Sequence, residues 1–236
     1  MEKLYIIIPA YNEQDNIEKV AKEWHEVVEQ INTESRLVII NDGSKDHTYD
    51  RLCELKSELP QLQPLTKPNG GHGQTLLFGY KYAIKNKADF IFQTDSDGQT
   101  NPKEFKEFWN LRNKYDAVIG CRTKREDGKI REFVEKTLLL ILRVVFGVKV
   151  PDSNAPFRLM KCELLEKYIN KMPEDFNLPN VMLTTYFSYF KEKIKFIEIT
   201  FKPRQAGTNS INIKKIVKIG WKAVGDFRKL KKEINM

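Results

Sequence analysis

The stretch Ala-Asp-Phe-Ile-Phe-Gln-Thr-Asp-Ser-Asp-Gly-Gln, residues 88–99, indicates the fold class of this chain. Its mainly apolar part, Ala88–Thr94, predicts an interior strand, and two carboxylates follow that strand at once. Comparable runs at Leu4–Ile8, Leu37–Ile40 and Ala117–Cys121 alternate with stretches of helical periodicity. Four or more β-α units in succession imply right-handed crossovers. The sequence therefore predicts an α/β protein with a Rossmann-like, mostly parallel sheet flanked by helices.

Length and charge indicate one domain with a distinct end. The chain has 236 residues, of which 41% are apolar, which is enough for one folded core. Its net charge of +8 is concentrated in residues 191–236, where 13 Lys or Arg stand against 4 Asp or Glu. We expect one domain over residues 1–210, helix-rich after about residue 130, and a basic amphipathic helix over residues 211–236.

The cysteines and the apolar runs exclude several classes of protein. Cys53, Cys121 and Cys162 have no paired spacing, which excludes a disulfide framework and a zinc-cysteine site. The apolar run Thr137–Val148 is about 12 residues long, whereas a bilayer span needs roughly 20. We therefore expect a cytoplasmic protein with no secretory signal and no membrane-spanning helix.

The loops that follow the predicted strands carry most of the unusual polar residues. In a doubly wound sheet, ligands bind outside the carboxyl ends of the strands, on these loops. The loops expected at that edge are Pro9–Glu13, Asn41–Asp46, Asn69–Gly73, Asp95–Gln99 and Gly120–Arg122. Their coincidence predicts a binding site.

The loop Asp95–Gln99 predicts a metal site. Two carboxylates and an amide at alternate positions suit a hard divalent cation, which prefers oxygen ligands and keeps positions open for substrate phosphates. The alternative is an Asp-rich turn that caps the helix beginning at Pro102. An isolated Asp-x-Asp motif would favour that alternative. Here the motif follows an interior strand, which favours a metal site that also binds a nucleoside diphosphate.

Two further loops allow more than one interpretation. Asp42 lies either in a simple turn or where it could accept hydrogen bonds from a base or ribose. The glycines of Asn69–Gly73 allow a close backbone approach to a ligand at a helix N-terminus. For His72 a loop or ligand-contacting role is favoured over a metal ligand, since no partner His is suitably spaced.

Together these residues resemble the family 2 glycosyltransferases, which have the GT-A fold. The Asp-x-Asp-Gly-Gln run is most similar to dolichyl-phosphate mannose synthases and bacterial polyprenyl-phosphate glycosyltransferases. Looser matches follow at Arg131, at Asp152 to Arg158, and at Arg204. The main matching motifs are Pro9-Ala10-Tyr11-Asn12-Glu13, Asn41-Asp42-Gly43-Ser44-Lys45-Asp46, Asp95-Ser96-Asp97-Gly98-Gln99 and Gly120-Cys121-Arg122.

The resemblance implies an inverting transferase that uses a UDP- or GDP-hexose donor. It implies Mg²⁺ or Mn²⁺ held by Asp97 and Gln99. Arg204 would lie over the diphosphate, while Arg122 and Arg131 would bind the acceptor's phosphate. The implied nucleotide-sugar site consists of Pro9, Ala10, Tyr11, Glu13, Asp42, Gly70, Gly73 and Asp95.

The acceptor is expected to be a polyprenyl phosphate, dolichyl or undecaprenyl, which is already an anionic nucleophile. The alternative acceptor is a hydroxyl of a growing cell-surface glycan, which needs a general base. Asp175 of the Glu174-Asp175 pair could be that base, or the pair could only start a helix. Two departures concern the acceptor: Glu135 stands where lipid-phosphate transferases usually have Ser, and Gly207-Thr208-Asn209-Ser210 replaces their Ser-Lys ending.

Two helices predict contact with a membrane surface. Residues 133–148 are apolar nearly all round, and residues 212–232 combine an apolar face with many lysines, so the protein would be peripheral on the inner face of the membrane. The alternatives are a buried helix and a helix docked on the domain. A nucleic-acid-binding module is a remote alternative, because no nucleic-acid motif accompanies the basic tail, and we expect no nucleic-acid partner.

Overall fold

The computed structural model describes residues 2–122, 129–203 and 225–232, and of residues 129–133 only the backbone. Within these residues the chain forms a seven-stranded sheet in the order β3-β2-β1-β4-β6-β5-β7. The strands are β1 Leu4–Ala10, β2 Arg36–Asp42, β3 Leu62–Lys67, β4 Phe90–Gln93, β5 Ala117–Cys121, β6 Arg158–Lys161 and β7 Ile194–Glu198.

The described helices cover both faces of this sheet. Residues 102–104 form a 3₁₀ turn before α4, and residues 225–232 are also helical. No helix in the described part of the chain is long and apolar enough to cross a bilayer. The helices are α1 Ile17–Glu29, α2 Thr48–Leu55, α3 His72–Lys85, α4 Phe105–Leu111, α5 Lys129–Phe146, α6 Cys162–Ile169 and α7 Pro179–Tyr189.

The predicted α/β class with a mostly parallel sheet is confirmed. β1 pairs in parallel with β2 and β4, and β2 with β3, as expected for successive β-α units. β6 lies antiparallel between β4 and β5, and β7 extends the sheet in parallel beyond β5. The expected helix-rich C-terminal part is present in α5, α6 and α7, but the two strands β6 and β7 were missed.

The core has two layers because strand residues alternate between the sheet's faces. Every residue of β1 is buried, as its continuous apolar run predicted. Ile7 belongs to the cluster with α3, α5, α6 and α7, whereas Ile6 and Ile8 belong to the cluster with α1, α2 and α4. The parallel strands are therefore held rigidly, with their carboxyl ends at one edge.

The last described helix packs on the domain. Phe227 is fully buried and its ring lies 6.1 Å from that of Phe146 in α5. Leu230 is also buried in the same cluster. Most of the predicted tail helix, and the predicted boundary at residues 210–211, lie outside the described residues. The docked interpretation therefore holds for residues 225–232.

Candidate active site

The first two predicted loops are tied to each other at the carboxyl edge of the sheet. The Asn12 N–H donates to Ser44 Oγ at 3.0 Å, and the Lys45 N–H donates to Asn12 Oδ1 at 2.9 Å. Asn12 has a φ of 54°, the left-handed conformation that Asn tolerates. Glu13 is buried, and Asn16 Nδ2 donates to its carboxylate at 2.8 Å. Pro9, Ala10 and Tyr11 lead into this turn, and Tyr11 is exposed.

Asp42 holds the glycine loop in place. Its buried carboxylate accepts from Lys67 Nζ at 2.5 Å, from the Gly70 N–H at 2.9 Å and from the Gly71 N–H at 2.8 Å. A carboxylate that receives two backbone N–H groups and an ammonium is firmly oriented. The sequence motifs predict Asp42 and Gly70 in one site but give no signal for Lys67, which carries the opposite charge.

The glycine at position 73 is needed for a contact within the chain. A Cβ there would lie 2.5 Å from the carbonyl oxygen of Asn177 and 2.6 Å from that of Phe176. The start of α3 therefore packs directly on the backbone that leads into α7. At Gly70 a Cβ would meet mainly the end of the flexible Gln74 side chain. Gly73 is therefore required by the packing of the chain itself, and its expected approach to a ligand stays a prediction.

Asp95 lies at the end of β4, where two side chains bind one of its oxygens. His72 Nε2 lies 3.1 Å from Asp95 Oδ1, and Gln93 Nε2 donates to the same oxygen at 3.2 Å. Although burial acts to lower it, the pKa of His72 is raised by this hydrogen bond and by the nearby charges of Asp95, Asp97 and Asp42. The ligand-contacting loop predicted for His72 is thus directly linked to the Asp-x-Asp loop.

The rest of that loop is anchored at residue 202. The Gln99 N–H donates to Asp97 Oδ1 at 3.2 Å, while Gln99 Nε2 donates to the carbonyl oxygen of Lys202 at 2.7 Å. Asn101, and not Asp95 or Asp97, caps the turn at residue 102, because its side chain accepts from the Lys103 N–H. The loop's carboxylates are therefore not needed to start the following helix, which removes the alternative considered above.

The oxygen ligands of this loop are suited to a cation that also binds a substrate. Asp97 offers a carboxylate, and Gln99 offers Oε1 because its amide nitrogen is bound to Lys202. The part of the chain that the structure describes contains no group of three or more His, Cys, Asp or Glu arranged to hold a metal. A Mg²⁺-like ion fits such a partial set, since it is commonly bound by one or two carboxylates together with substrate phosphates.

Arg122 follows β5 and is bound by Asp152. Its Nε and Nη2 donate to the two carboxylate oxygens of Asp152 at 2.8 and 2.9 Å, and Glu135 lies 3.8 Å from Nη2. Although burial acts to raise it, the pKa of Asp152 is lowered because Arg122 donates to the carboxylate. Arg131 belongs to α5, but its side chain is outside the described residues, as is Arg204.

The acid pair lies in the segment that contacts Gly73. Glu174 and Asp175 form a turn, and α7 begins only at Pro179, so the alternative in which the pair starts a helix is wrong. Glu174 is exposed and pairs with Lys81 Nζ at 2.6 Å. The hydrogen bond from Lys81 lowers the pKa of Glu174, which makes it a weaker base. Asp175 is also exposed.

Residues 5–169 match the family model described as "Glycosyl transferase family 2". The chain belongs to glycosyl transferase family 2. This family 2 chain is similar, at 21% identity, to the undecaprenyl-phosphate 4-deoxy-4-formamido-L-arabinose transferase of Pectobacterium carotovorum, over 93% of this chain and 65% of that protein. It is similar, at 32% identity, to a dolichyl-phosphate beta-glucosyltransferase of Trichomonas vaginalis, over 67% of this chain and 54% of that protein. The chain thus spans between half and two thirds of the length of these curated relatives.

Solved structures place this family 2 chain among the GT-A glycosyltransferases. Glucosyl-3-phosphoglycerate synthase from Mycobacterium tuberculosis, in complex with Mn²⁺ and UDP-glucose, aligns with a TM-score of 0.69. The alignment has 15% identity and covers 97% of this chain and 79% of that one. At this identity the likeness establishes the fold, which confirms the predicted GT-A architecture.

Proposed function

We propose that this chain is a metal-dependent, inverting glycosyltransferase that moves a sugar from a UDP- or GDP-hexose to a polyprenyl phosphate. The observation that carries the proposal is the Asp95–Gln99 loop, which lies at the carboxyl end of β4 and is held from both sides. His72 and Gln93 orient Asp95, and Lys202 orients Gln99. Carboxylates fixed in this way are prepared to receive a cation with its nucleoside diphosphate.

The metal would be Mg²⁺ or Mn²⁺, held by Asp97 and Gln99. When bound, the ion would neutralise charge on the departing nucleoside diphosphate. The complex of the Mycobacterium tuberculosis enzyme with Mn²⁺ and UDP-glucose supports this proposal. Asp42 would act on the nucleoside through the glycine loop that it holds, since its oxygens already accept from Lys67, Gly70 and Gly71.

A phosphate acceptor would bind at Arg122, which follows β5 and also lies against the carboxylates of Asp152 and Glu135. Arg122 is almost buried and is fixed by Asp152, and its third nitrogen, Nη1, makes no hydrogen bond with the described residues. An arginine held in this way can bind a phosphate without first losing side-chain freedom. Both relatives named above are named for a lipid phosphate. A phosphate nucleophile needs no general base, and the exposed Glu174 is already paired with Lys81.

A lipid acceptor also requires access to a membrane surface, which we propose lies along α5. Leu140 and Val144 are one helical turn apart and are 60% and 77% exposed. Arg143 lies between them and is also exposed. Exposed aliphatic side chains beside a cation are typical of helices that bind anionic bilayers. The helix at residues 225–232 packs on the opposite, buried side of α5, through Phe227 and Phe146.

The proposal is tested by a screen of nucleotide sugars with purified protein and Mn²⁺. Release of UDP or GDP should depend on added polyprenyl phosphate and stop in EDTA. Arg131→Ala should lower kcat/KM for the acceptor by about tenfold, as for the loss of a charge-assisted contact, whereas Asp175→Asn should be nearly silent. Release that needs a glycan, with a loss of about 10²–10⁴-fold in Asp175→Asn, would instead establish a hydroxyl acceptor and a general base.

A further inference from the structure

A chain of buried polar side chains lies beneath the Asp-x-Asp loop. Gln93, Tyr80 and Arg158 have no exposed surface, and Asn180 is only 1% exposed. Burying polar groups costs free energy unless they are hydrogen-bonded, and apolar residues could fill the same volume at less cost. The fold alone therefore does not explain why four polar residues from α3, β4, β6 and α7 meet here.

The hydrogen bonds that link these buried side chains all run in one direction, from Tyr80 toward Asp95. An ionised Asp95 can only accept, so Gln93 must turn Nε2 toward it, at 3.2 Å. Gln93 Oε1 then accepts from Asn180 Nδ2 at 2.9 Å, and Asn180 Oδ1 accepts from the Tyr80 hydroxyl at 3.0 Å. Burial raises the pKa of Tyr80, which keeps its hydroxyl protonated and able to donate. Turning over the Gln93 amide would break both of its hydrogen bonds, and turning over that of Asn180 would break its hydrogen bond to Gln93.

Arg158 fixes Asn180, the middle residue of this hydrogen-bonded row. The register of β4 and β6 places it directly opposite Gln93. Its guanidinium donates to the backbone oxygen of Asn180 at 3.0 Å and to that of Ala155 at 2.8 Å. Asn180 is therefore fixed through both its backbone and its side chain. Burying a guanidinium that is bound mainly to carbonyl oxygens costs free energy. Such a cost is expected where the position of the residue that it fixes matters for function.

These buried side chains contact the candidate site through a single oxygen, Oδ1 of Asp95. Asp95 Oδ1 accepts from both Gln93 and His72, whereas Oδ2 makes no hydrogen bond with the described residues. We propose that Asn180, Gln93 and Tyr80 are positioning residues that fix the rotation of the Asp95 carboxylate and so direct Oδ2 at the donor nucleotide. This inference rests on the proposed function, because the nucleotide is the ligand that Asp95 would contact.

The test measures nucleotide affinity apart from catalysis. UDP and GDP are each titrated calorimetrically into the full chain with Mn²⁺, and the one that binds wild type is used for the variants. Gln93→Met removes both hydrogen bonds of the side-chain amide at nearly constant volume and should weaken nucleotide binding about tenfold. Tyr80→Phe removes only the far end of the chain and should weaken binding about threefold. KM for the acceptor should stay unchanged in both.

Tyr168→Phe is the matched control for Tyr80→Phe. Tyr168 is buried in the same core cluster, but its hydroxyl binds Glu192, away from Asp95. This variant should lose stability and keep wild-type nucleotide affinity. The double variant of Gln93→Met and Tyr80→Phe should bind no more weakly than Gln93→Met alone, because both act through the same amide.

Three results would overturn the inference while leaving the proposed function in place. Folded Gln93→Met with wild-type affinity would do so, as would additive losses in the double variant, or a Tyr168→Phe loss equal to that of Tyr80→Phe. Wild-type protein that binds neither UDP nor GDP would overturn the proposed function, and the positioning role with it. Wild-type binding combined with unaffected variants would remove only the positioning role.

Discussion

Replacing Gly73 with alanine should destabilise the protein through one close contact between α3 and the segment before α7. The new Cβ would lie 2.5 Å from the Asn177 carbonyl oxygen, against 3.4–4 Å for ordinary contact, so the backbone must move by about 1 Å. Such overpacking typically costs about 1–3 kcal/mol, and the helix propensity gained from alanine returns less than about 1 kcal/mol. For a chain of this size the Tm should fall by roughly 2–4 °C for each kcal/mol lost.

The control for this prediction is Gly70→Ala in the same loop. Its Cβ would meet mainly the Gln74 side chain, which can rotate away, so thermal unfolding should stay within about 2 °C of wild type. Thermal or urea denaturation followed by circular dichroism measures both variants. Gly73→Ala with wild-type Tm, or equal losses at both positions, would refute the close packing of α3 on residues 176–177.

Three further outcomes are expected. Asp97→Asn should keep the fold but lose most turnover, as should wild type in EDTA, and full activity in either assay would exclude the metal. Lys67→Met should lower the free energy of unfolding by about 3 kcal/mol, because it leaves the buried Asp42 carboxylate without its ion partner. The control Lys161→Met breaks a partly exposed ion pair with Asp116 and should cost at most about 1 kcal/mol. Serine at both Leu140 and Val144 should reduce binding to anionic vesicles in a flotation assay without changing Tm, and equal binding would place the membrane contact elsewhere.

The sequence was sufficient to predict the parallel part of the sheet, because its strands can be recognised from short local patterns. β1 and β2 are continuous apolar runs followed by polar turns, and the structure has strands at both positions. β6 and β7 have 4 and 5 residues, and their pairing joins segments far apart in the chain. Short strands that contain charged residues, as both of these do, carry too little periodicity to be recognised without their neighbours.

The candidate site was predictable by position but not by pairing. The motifs placed Asp42 and Asp95 at the correct edge, yet their partners Lys67 and Gln93 had no motif to identify them. Lys67 is 25 residues from Asp42 in sequence, so only the parallel register of β2 and β3 brings them together. One signal was available: Gln93 is an amide inside the otherwise apolar run Ala88–Thr94, and a polar residue in an interior strand needs a buried partner.

The antiparallel strand β6 links the two parts of the sheet that carry the candidate site. β3, β2, β1 and β4 carry the loops around Asp95, whereas β5 carries Arg122, and one intervening strand sets the two groups about 10 Å apart at the usual strand spacing. The chain enters β6 at this same edge, through residues 152–157. This segment binds both parts of the sheet, since Asp152 binds Arg122 whereas the Ala155 carbonyl oxygen accepts from Arg158. Insertions or deletions there would therefore disturb Arg122 and the buried hydrogen bonds beneath Asp95 together.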